Sequence, residues 1–178
     1  MSLYDNAEIS KIKEIQLHVE NNSHTMDNIV QEIISPYCKE LDAYVRFISD
    51  CLKDGNNPPT NSELEDFCIN LSTYIYFAGG MCEQLGVRDS ISKAVYKETY
   101  NTARSKQEKG TVDDKNTLAE LASQQEQLVS VCYNSAYKTM KVKLDSAQEL
   151  LSACKKALSS RLTEMELTKM TSNLNNSR

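Results

Sequence analysis

The C-terminal half of the sequence almost lacks the residues that interrupt helices. From Val87 to Arg178 it has one glycine, Gly110, and neither proline nor tryptophan. Glycine and proline are the strongest local breakers of regular structure, and the flanking residues are rich in Ala, Leu, Lys, Glu and Gln. This composition predicts a helical hairpin with one arm over 87–109, a turn at 110–113 and a long arm over 114–170. Such a hairpin typically forms oligomers or holds a partner.

Long apolar segments are also absent. No run of 18 apolar residues occurs, so the sequence predicts no membrane-spanning helix. The first residues, MSLYDNAEISKIKEI, have acidic side chains and no apolar core, which is unlike a secretory signal. We therefore expect an intracellular, cytoplasmic protein. Hydrophobic residues make up 40% of the chain and the mean hydropathy is −0.51, which predicts a core that is thin relative to the surface.

The six cysteines form no CxxC motif or other close pair. Without an export signal they are expected to be reduced thiols on apolar helix faces, because free cysteine behaves as a small hydrophobic residue. A zinc site needs clustered Cys and His, and the two histidines, His18 and His24, lie far from any cysteine pair. The sequence predicts no metal site and no cofactor.

Sequence motifs of common enzymes are missing as well. GxxxxGK[ST], GxGxxG, HExxH and GxSxG do not occur. The segment 54–65 begins with Asp and ends with Glu as a calcium loop does, but Pro59 occupies the position of the invariant turn glycine. We therefore expect a protein that is not an enzyme.

Charge is distributed unevenly between the two halves. Residues 1–83 contain 5 Lys/Arg and 14 Asp/Glu, whereas residues 84–178 contain 15 Lys/Arg and 11 Asp/Glu. This asymmetry is typical of an acidic part that binds proteins and a basic part that binds nucleic acid or the acidic part of a neighbour. Ordinary solvated helix faces are the alternative.

The N-terminal part has two predicted helices. Residues 5–20 form an amphipathic helix with apolar positions at Ile9, Ile12, Ile15 and Val19, and residues 21–23 are expected to break it. The second helix extends from 26 to 52, and Pro36 within it predicts either a kink or a restart with Ser35 as N-cap. We prefer the restart. The apolar stripe of this helix consists of Ile29, Val30, Ile33, Ile34, Cys38, Leu41, Val45, Ile48 and Leu52.

A loop over 54–61 and a third helix complete the N-terminal part. Ser62 and Glu65 have the spacing of a capping box, which predicts the helix start. Gly79, Gly80 and Gly86 are expected to loosen or end the helix. Its predicted buried face consists of Phe67, Leu71, Tyr74, Ile75 and Ala78. The predicted fold is therefore all-α, with an acidic N-terminal helical domain (1–86), a long antiparallel coiled-coil-like hairpin (87–170) and a flexible tail (171–178).

The long arm carries an apolar seam with steps of mostly three and four residues, as in coiled coils. The short arm covers only part of it, so we expect a homo-oligomer. The residues predicted to form the oligomer seam are Leu121, Leu128, Cys132, Met140, Leu150 and Leu158.

Basic residues alternate with tyrosines on both arms. A stripe on the short arm lies opposite the apolar positions Val87, Ile91, Ala94 and Val95. Cations hold phosphates and aromatic rings stack on bases, which is the combination that single-stranded nucleic acid requires. The predicted nucleic-acid-binding residues are Lys93, Lys97, Tyr100 and Arg104 on the short arm and Lys138 and Lys141 on the long arm, where Tyr133 and Tyr137 are nearby. A solvated face with packed tyrosines is the ordinary alternative, and it is favoured by acidic residues that weaken the field, namely Glu98, Glu108, Asp113 and Asp114.

The segment 88–167 resembles the phage recombination mediator family, small helical proteins that load a strand-exchange ATPase onto single-stranded DNA. The residues that carry the resemblance are Arg88 to Lys109 with Tyr96 and Tyr100, the loop Gly110 to Asp114, then Lys115, Leu118, Ala119, Leu121, Tyr133 and Lys138, and the run Leu150 to Leu162. The resemblance implies an all-α, ring-like homo-oligomer that binds single-stranded DNA through the five cations named above. Such mediators lack the acidic first 83 residues, so that part would bind partner proteins.

Three functions follow from these patterns. The first is a phage-type accessory protein that binds single-stranded DNA and a recombination or replication partner as a homo-oligomer. The second is a virion structural or assembly protein whose hairpin packs against copies of itself or a larger partner. The third is an inhibitor that uses its acidic face against a nucleic-acid-binding protein.

Overall fold

Four helices make up nearly all of the described part of the chain. The computed structural model describes the backbone of residues 6–107 and 109–176 and the side chains of most of them. The helices are α1 (Asn6–Lys53), α2 (Asn61–Ser105), α3 (Val112–Ala122) and α4 (Gln124–Asn176). No strand occurs in these two ranges, so the predicted all-α class is confirmed. None of the described helices is long and apolar enough to cross a membrane.

Helix α1 is continuous through both predicted interruptions. The break at 21–23 is wrong, because the polar side chains there fit within the helix, and the Thr25 hydroxyl donates to the Asn21 carbonyl one turn earlier (3.1 Å). The restart at Pro36 is also wrong. Proline lacks the N–H that would bind the Glu32 carbonyl, but both residues are exposed and water can bind that carbonyl. The side chains of Ile9, Ile12 and Ile15 lie outside the described residues.

The loop between α1 and α2 is confirmed, but its predicted capping box is displaced by two residues. The Thr60 N–H donates to Glu63 Oε2 (2.7 Å), and the Glu63 N–H donates to Thr60 Oγ1 (3.2 Å). These two bonds form the reciprocal pattern of a capping box. Ser62 lies inside the helix that it was predicted to cap.

Helix α2 also continues through the three glycines that were predicted to end it. A helix-interior glycine costs roughly 1 kcal/mol relative to alanine, so packing along the rest of α2 outweighs these costs. Gly86 has a packing role, because a Cβ there would lie 3.2 Å from the Tyr137 ring. The predicted domain boundary at residues 86 and 87 therefore falls inside a continuous helix.

The predicted turn at Gly110 is confirmed. Gly110 has φ = 111°, a left-handed conformation that favours glycine. Thr111 caps α3 in a second capping box with Asp114. The Thr111 N–H donates to Asp114 Oδ2 (3.0 Å), and the Asp114 N–H donates to Thr111 Oγ1 (3.2 Å).

The long arm was predicted to be one helix, but it consists of two helices, α3 and α4. Ser123 separates α3 from α4 and is fully buried. Its hydroxyl donates to the Ala119 carbonyl (2.8 Å), a local bond that competes with regular helix geometry. At the other end α4 continues to Asn176, so the predicted tail is helical over 171–176, and residues 177–178 lie outside the described residues.

The chain divides into two compact units that do not match the predicted domains. Unit 1 comprises Met1–Pro36 and Leu85–Tyr137, and unit 2 comprises Tyr37–Gln84 and Lys138–Arg178. Each unit thus combines a piece of the N-terminal half with a piece of the C-terminal half. The acidic N-terminal segment is therefore not a separate domain.

Unit 2 has an apolar core. Within it α2 and α4 are antiparallel, since Cys68 lies near Cys154 and Cys82 lies near Lys141. The buried apolar residues are Cys38, Leu41, Ile48, Leu64, Phe67, Leu71, Ala78, Cys82, Met140, Leu144, Ala147 and Cys154. Phe67, Leu71 and Ala78 confirm most of the face predicted for the third helix, whereas Tyr74 and Ile75 are half-buried.

Opposite charges meet inside unit 2. Its stretch 37–84 has 3 Lys/Arg and 8 Asp/Glu, and its stretch 138–178 has 8 Lys/Arg and 4 Asp/Glu. Lys143 Nζ and Asp42 Oδ2 are 2.7 Å apart across α4 and α1. Part of the acidic N-terminal half and part of the basic C-terminal half thus compensate each other's charge within one unit.

Unit 1 has a smaller and more polar interior. Its buried apolar residues are Val30, Ile34, Leu85, Ala119, Cys132 and Ala136. Asp89, Ser92, Ser123 and Ser130 are buried beside them, and these four are the only buried polar residues in the described part of the chain. Large apolar residues of this unit lie at its surface instead.

Candidate functional site

The basic stripe on α2 is partly available for binding. Lys97 and Arg104 are exposed, and neither forms an ion pair with another described residue. Tyr100 is half-buried, and its hydroxyl donates to Asn116 Oδ1 of α3 (3.4 Å). The stripe therefore offers two cations, whereas its tyrosine is partly held by the neighbouring helix.

Lys93 has a role that the sequence did not indicate. Its Nζ lies 2.7 Å from Asp89 Oδ2, and the side chain of Asp89 is only 9% exposed. Asn134 Nδ2 donates to both carboxylate oxygens of Asp89 (3.3 Å each). Lys93 is thus the counterion of a buried carboxylate, and much of its charge is compensated. The spacing Leu85, Asp89, Ser92, with steps of four and three, is the signal that places Asp89 on the inner face of α2.

The two predicted cations of the long arm belong to the other unit. Lys138 and Lys141 are exposed on α4 within unit 2. Burial raises the pKa of the Cys82 thiol and the nearby Lys141 opposes this shift, so Lys141 lies beside α2. The six predicted nucleic-acid-binding residues are therefore divided, with four in unit 1 and two in unit 2.

The tyrosines of α4 near these lysines are partly packed. Tyr137 is half-buried with its ring against Gly86, and Tyr133 is half-buried. Neither ring is presented freely for base stacking. This arrangement fits the packed-tyrosine alternative better than a stacking platform.

The predicted oligomer seam has several different environments. Cys132 and Met140 are buried within the chain itself, so they cannot contact another copy, and their assignment to an oligomer seam is wrong. Leu150 and Leu158 are half-buried. Leu121 and Leu128 are exposed and remain candidates. The three-four periodicity of α4 was thus produced largely by intramolecular packing.

An open apolar groove of about 510 Å³ lies on unit 1. It is lined by Arg88, Ile91, Ser92, Val95, Gln125, Glu126, Val129 and Tyr133, which come from α2 and α4. Ile91, Val95 and Val129 are each about half exposed. Glu126 Oε2 is buried and has no hydrogen-bond partner in the described part of the chain. The predicted apolar stripe of the short arm is therefore exposed, because Asp89 and Ser92 take the inner positions.

The cysteines are free thiols, and most of them are buried. All six are free, and Cys38, Cys82, Cys132 and Cys154 are buried, as predicted. Burial, with Asp42 as the next cause, raises the pKa of Cys38 to about 11, while Lys143 opposes the shift. No group of three or more potential metal ligands occurs among the residues with described positions.

Comparison with known proteins gives no relative. No protein-family model matches the chain, no curated protein matches it and no solved structure matches it.

Proposed function

We propose that this protein is a non-enzymatic accessory protein, of the phage recombination-mediator type, that binds single-stranded DNA as a homo-oligomer and serves a recombination or replication partner. The observation that carries the proposal is the pair of exposed cations on α2, Lys97 and Arg104, which no described carboxylate neutralises. Exposed, unpaired cations attract phosphates most strongly.

The surrounding charge supports this assignment. Residues 87–106 of α2 contain five Lys/Arg and only two Asp/Glu. One of the two acidic residues, Asp89, is buried and paired with Lys93. The outer surface of this stretch is therefore positive although the whole chain has a net charge of −5. Lys138 and Lys141 are two further exposed cations, on unit 2.

The test is a titration of a labelled single-stranded oligonucleotide at several salt concentrations. Lys97→Glu with Arg104→Glu should raise Kd about tenfold or more and reduce the salt slope by about 1.4, since each phosphate contact on a single strand contributes about 0.7. Lys39→Glu with Lys53→Glu is the matched control, because both lysines are exposed and the charge change is the same. Equal effects of the two pairs, or binding that does not depend on salt, would refute the site.

A second candidate is an assembly protein that binds copies of itself. The observation that favours it is the exposed apolar surface of unit 1, since large exposed apolar patches mark interaction sites. Leu128→Asp should then lower the mass in solution, because a charge would enter an apolar contact. Leu128 is exposed in the chain, so the substitution leaves the core intact. A defined oligomer that ignores DNA would favour this function over the first.

A further inference from the structure

We propose that a pocket of unit 2, where α1 ends and α2 begins, binds an organic cation, that is, an alkylammonium or guanidinium group. The pocket has a volume of about 370 Å³, and aromatic rings and carboxylates together form its wall. None of the predicted nucleic-acid-binding residues lines it. The inference therefore goes beyond the proposed function and does not depend on it.

Three aromatic side chains form one part of the wall. Tyr44 and Phe47 come from the last three turns of α1, and Phe67 comes from the second turn of α2. The rings of Phe47 and Phe67 are nearly perpendicular, with centroids 5.8 Å apart and an interplanar angle of 85°. The Tyr44 ring packs against Phe47 (5.9 Å) and against Tyr74 (5.1 Å). The rings thus hold one another in place, and aromatic rings attract cations to their faces.

Three carboxylates form another part of the wall. Asp54 follows the end of α1, and Glu63 and Asp66 lie one turn apart on α2. No Lys, Arg or His lines the pocket among the described residues, and none of the three carboxylates forms an ion pair with one of those residues. Residues 50–66 contain five acidic residues and one lysine. The wall therefore carries a negative charge that its other described residues do not compensate.

Two neighbouring groups reduce this negative charge only in part. Arg161 of α4 donates to the carbonyl of Pro59, which lines the pocket, but Arg161 itself does not line it. Glu63 Oε2 accepts from the N–H (2.7 Å) and the hydroxyl (2.8 Å) of Thr60. These bonds lower the pKa of Glu63, so its carboxyl group stays ionised at neutral pH. Asp66 is exposed and lies beyond this cap, in the second turn of α2.

Phe47 distinguishes this pocket from an ordinary packed aromatic cluster. It contacts two other rings and yet remains 52% exposed, whereas Phe67 is only 5% exposed and belongs to the core. Burial of an aromatic side chain is strongly favourable. An aromatic ring that stays at the surface beside carboxylates can contact a ligand that carries positive charge.

The arrangement suits an organic cation better than a metal ion. No group of three or more Cys, His, Asp or Glu side chains in the described part of the chain could hold a metal ion, so these carboxylates do not converge on one point. Hard metal ions also require several oxygen ligands. Alkylammonium and guanidinium groups are larger, and they can pack on aromatic rings while they interact with carboxylates. Small-molecule pockets commonly combine apolar walls with a few polar groups in this way.

The experiment is calorimetric titration of the full-length protein at constant ionic strength. The first ligand is choline, and its matched control is the neutral alcohol in which carbon replaces the ammonium nitrogen. N-acetyl-arginine amide is titrated in parallel. At least one of the two cations should bind saturably and about tenfold or more tightly than the alcohol, because the rings and carboxylates recognise its charge. If neither cation saturates the protein, or if the alcohol binds equally well, the proposal is wrong.

Variants locate the binding. Phe47→Leu and Asp66→Asn should each weaken the binding of the cation about fivefold, because they remove a ring and a charge. Both residues are exposed, so the core is retained. Phe77→Leu and Asp50→Asn are the matched controls, at an exposed phenylalanine and an exposed aspartate that do not line the pocket. Equal losses in the test and control variants would overturn the site.

The thiol of Cys51 gives an independent readout. Cys51 is free and lines the pocket, so saturating ligand should slow its alkylation by iodoacetamide, as measured by mass spectrometry. Cys68 does not line the pocket, and its alkylation should not change. An unchanged rate at Cys51 would place the ligand elsewhere and overturn the proposal.

The two cations distinguish the possible sources of the ligand. Tighter binding of choline would identify a small quaternary ammonium compound, and tighter binding of the arginine derivative would identify a basic side chain of a partner protein. Lys97→Glu with Arg104→Glu leaves the pocket intact, because neither residue lines it. Failure of DNA binding and failure of cation binding are therefore observed separately.

Discussion

Units 1 and 2 contain consecutive stretches of the same three long helices, yet they bury different kinds of residue. Unit 2 buries Leu, Ile, Phe, Met and Cys around a part-buried Asp42–Lys143 pair. Unit 1 buries three serines and the carboxylate of Asp89, whereas Ile91, Val95 and Val129 lie at its surface. Unit 2 therefore has the more apolar interior, although both units expose large apolar residues, such as Phe77 in unit 2 and Ile91 in unit 1. Helical periodicity alone does not distinguish an apolar face that is buried in a core from an apolar face that is exposed.

The largest expected difference between the units is the cost of removing a core side chain. Leu71→Ala in unit 2 should lower the free energy of unfolding by about 2–5 kcal/mol, because a fully buried leucine leaves a cavity. Ser92→Ala in unit 1 should cost about 1 kcal/mol or less, because only the hydroxyl bond to the Asp89 carbonyl is lost. Urea denaturation measures both. Similar costs would contradict the contrast between an apolar and a polar interior.

The buried carboxylate of unit 1 should show an intermediate effect. Asp89→Ala should cost about 1–3 kcal/mol, because Asn134 loses a buried acceptor. Asp89→Asn should cost less, since its carbonyl oxygen still accepts from Asn134. Asp50→Ala, at an exposed position of α1, is the control. Equal stability of the Ala and Asn variants would show that the polar network does not stabilise unit 1.

The two capping boxes allow a matched comparison, one in each unit. Thr60→Ala in unit 2 and Thr111→Ala in unit 1 should each cost about 1 kcal/mol. Ser62→Ala should change stability by less than about 0.5 kcal/mol, because Ser62 is exposed and makes no cap. Thermal unfolding followed by circular dichroism measures the three variants. If Ser62→Ala lowered the stability more than Thr60→Ala, Ser62 would be the N-cap, as the sequence predicted.

The smallest expected effect is the pH dependence of these caps. The backbone N–H and hydroxyl of Thr60 lower the pKa of Glu63, and the hydroxyl and backbone N–H of Thr111 lower that of Asp114. A carboxylate with a lowered folded-state pKa stabilises the fold above its unfolded pKa, and this stabilisation is lost as pH falls through the folded value. Carboxyl titration by NMR should give values below those of ordinary Glu and Asp. If the pKa values of Glu63 and Asp114 were those of ordinary carboxyl groups, the caps would not persist in solution.

Composition was enough to predict the helical class, the loop at 54–61 and the turn at Gly110. The positions of helix ends were predicted poorly wherever a local signal competed with packing. Residues 21–23, Pro36 and the glycines of α2 all disfavour a helix locally, but contacts along the rest of each helix outweigh them. The error at Ser123 was the opposite one. A continuous helix was predicted there because nothing in the local sequence indicated a break.

The candidate site was predicted in part. Lys97 and Arg104 were predicted on an exposed face and lie there. The pairing of Lys93 with a buried carboxylate was missed, because the apolar positions Val87, Ile91 and Val95 were expected to form the inner face in place of Asp89. The exposure of Ile91 and Val95 was also missed, since apolar residues at helical spacing more often face a core. Tertiary packing alone decides which stripe of α2 faces inward.

The thiols have a practical consequence. A thiolate reacts with maleimides and disulfides, whereas a protonated thiol does not. Burial raises the pKa of Cys38, Cys68, Cys82, Cys132 and Cys154. An exposed cysteine introduced on either unit would therefore react well before these five. Fluorophores or spin labels can thus be attached while the core thiols remain in place.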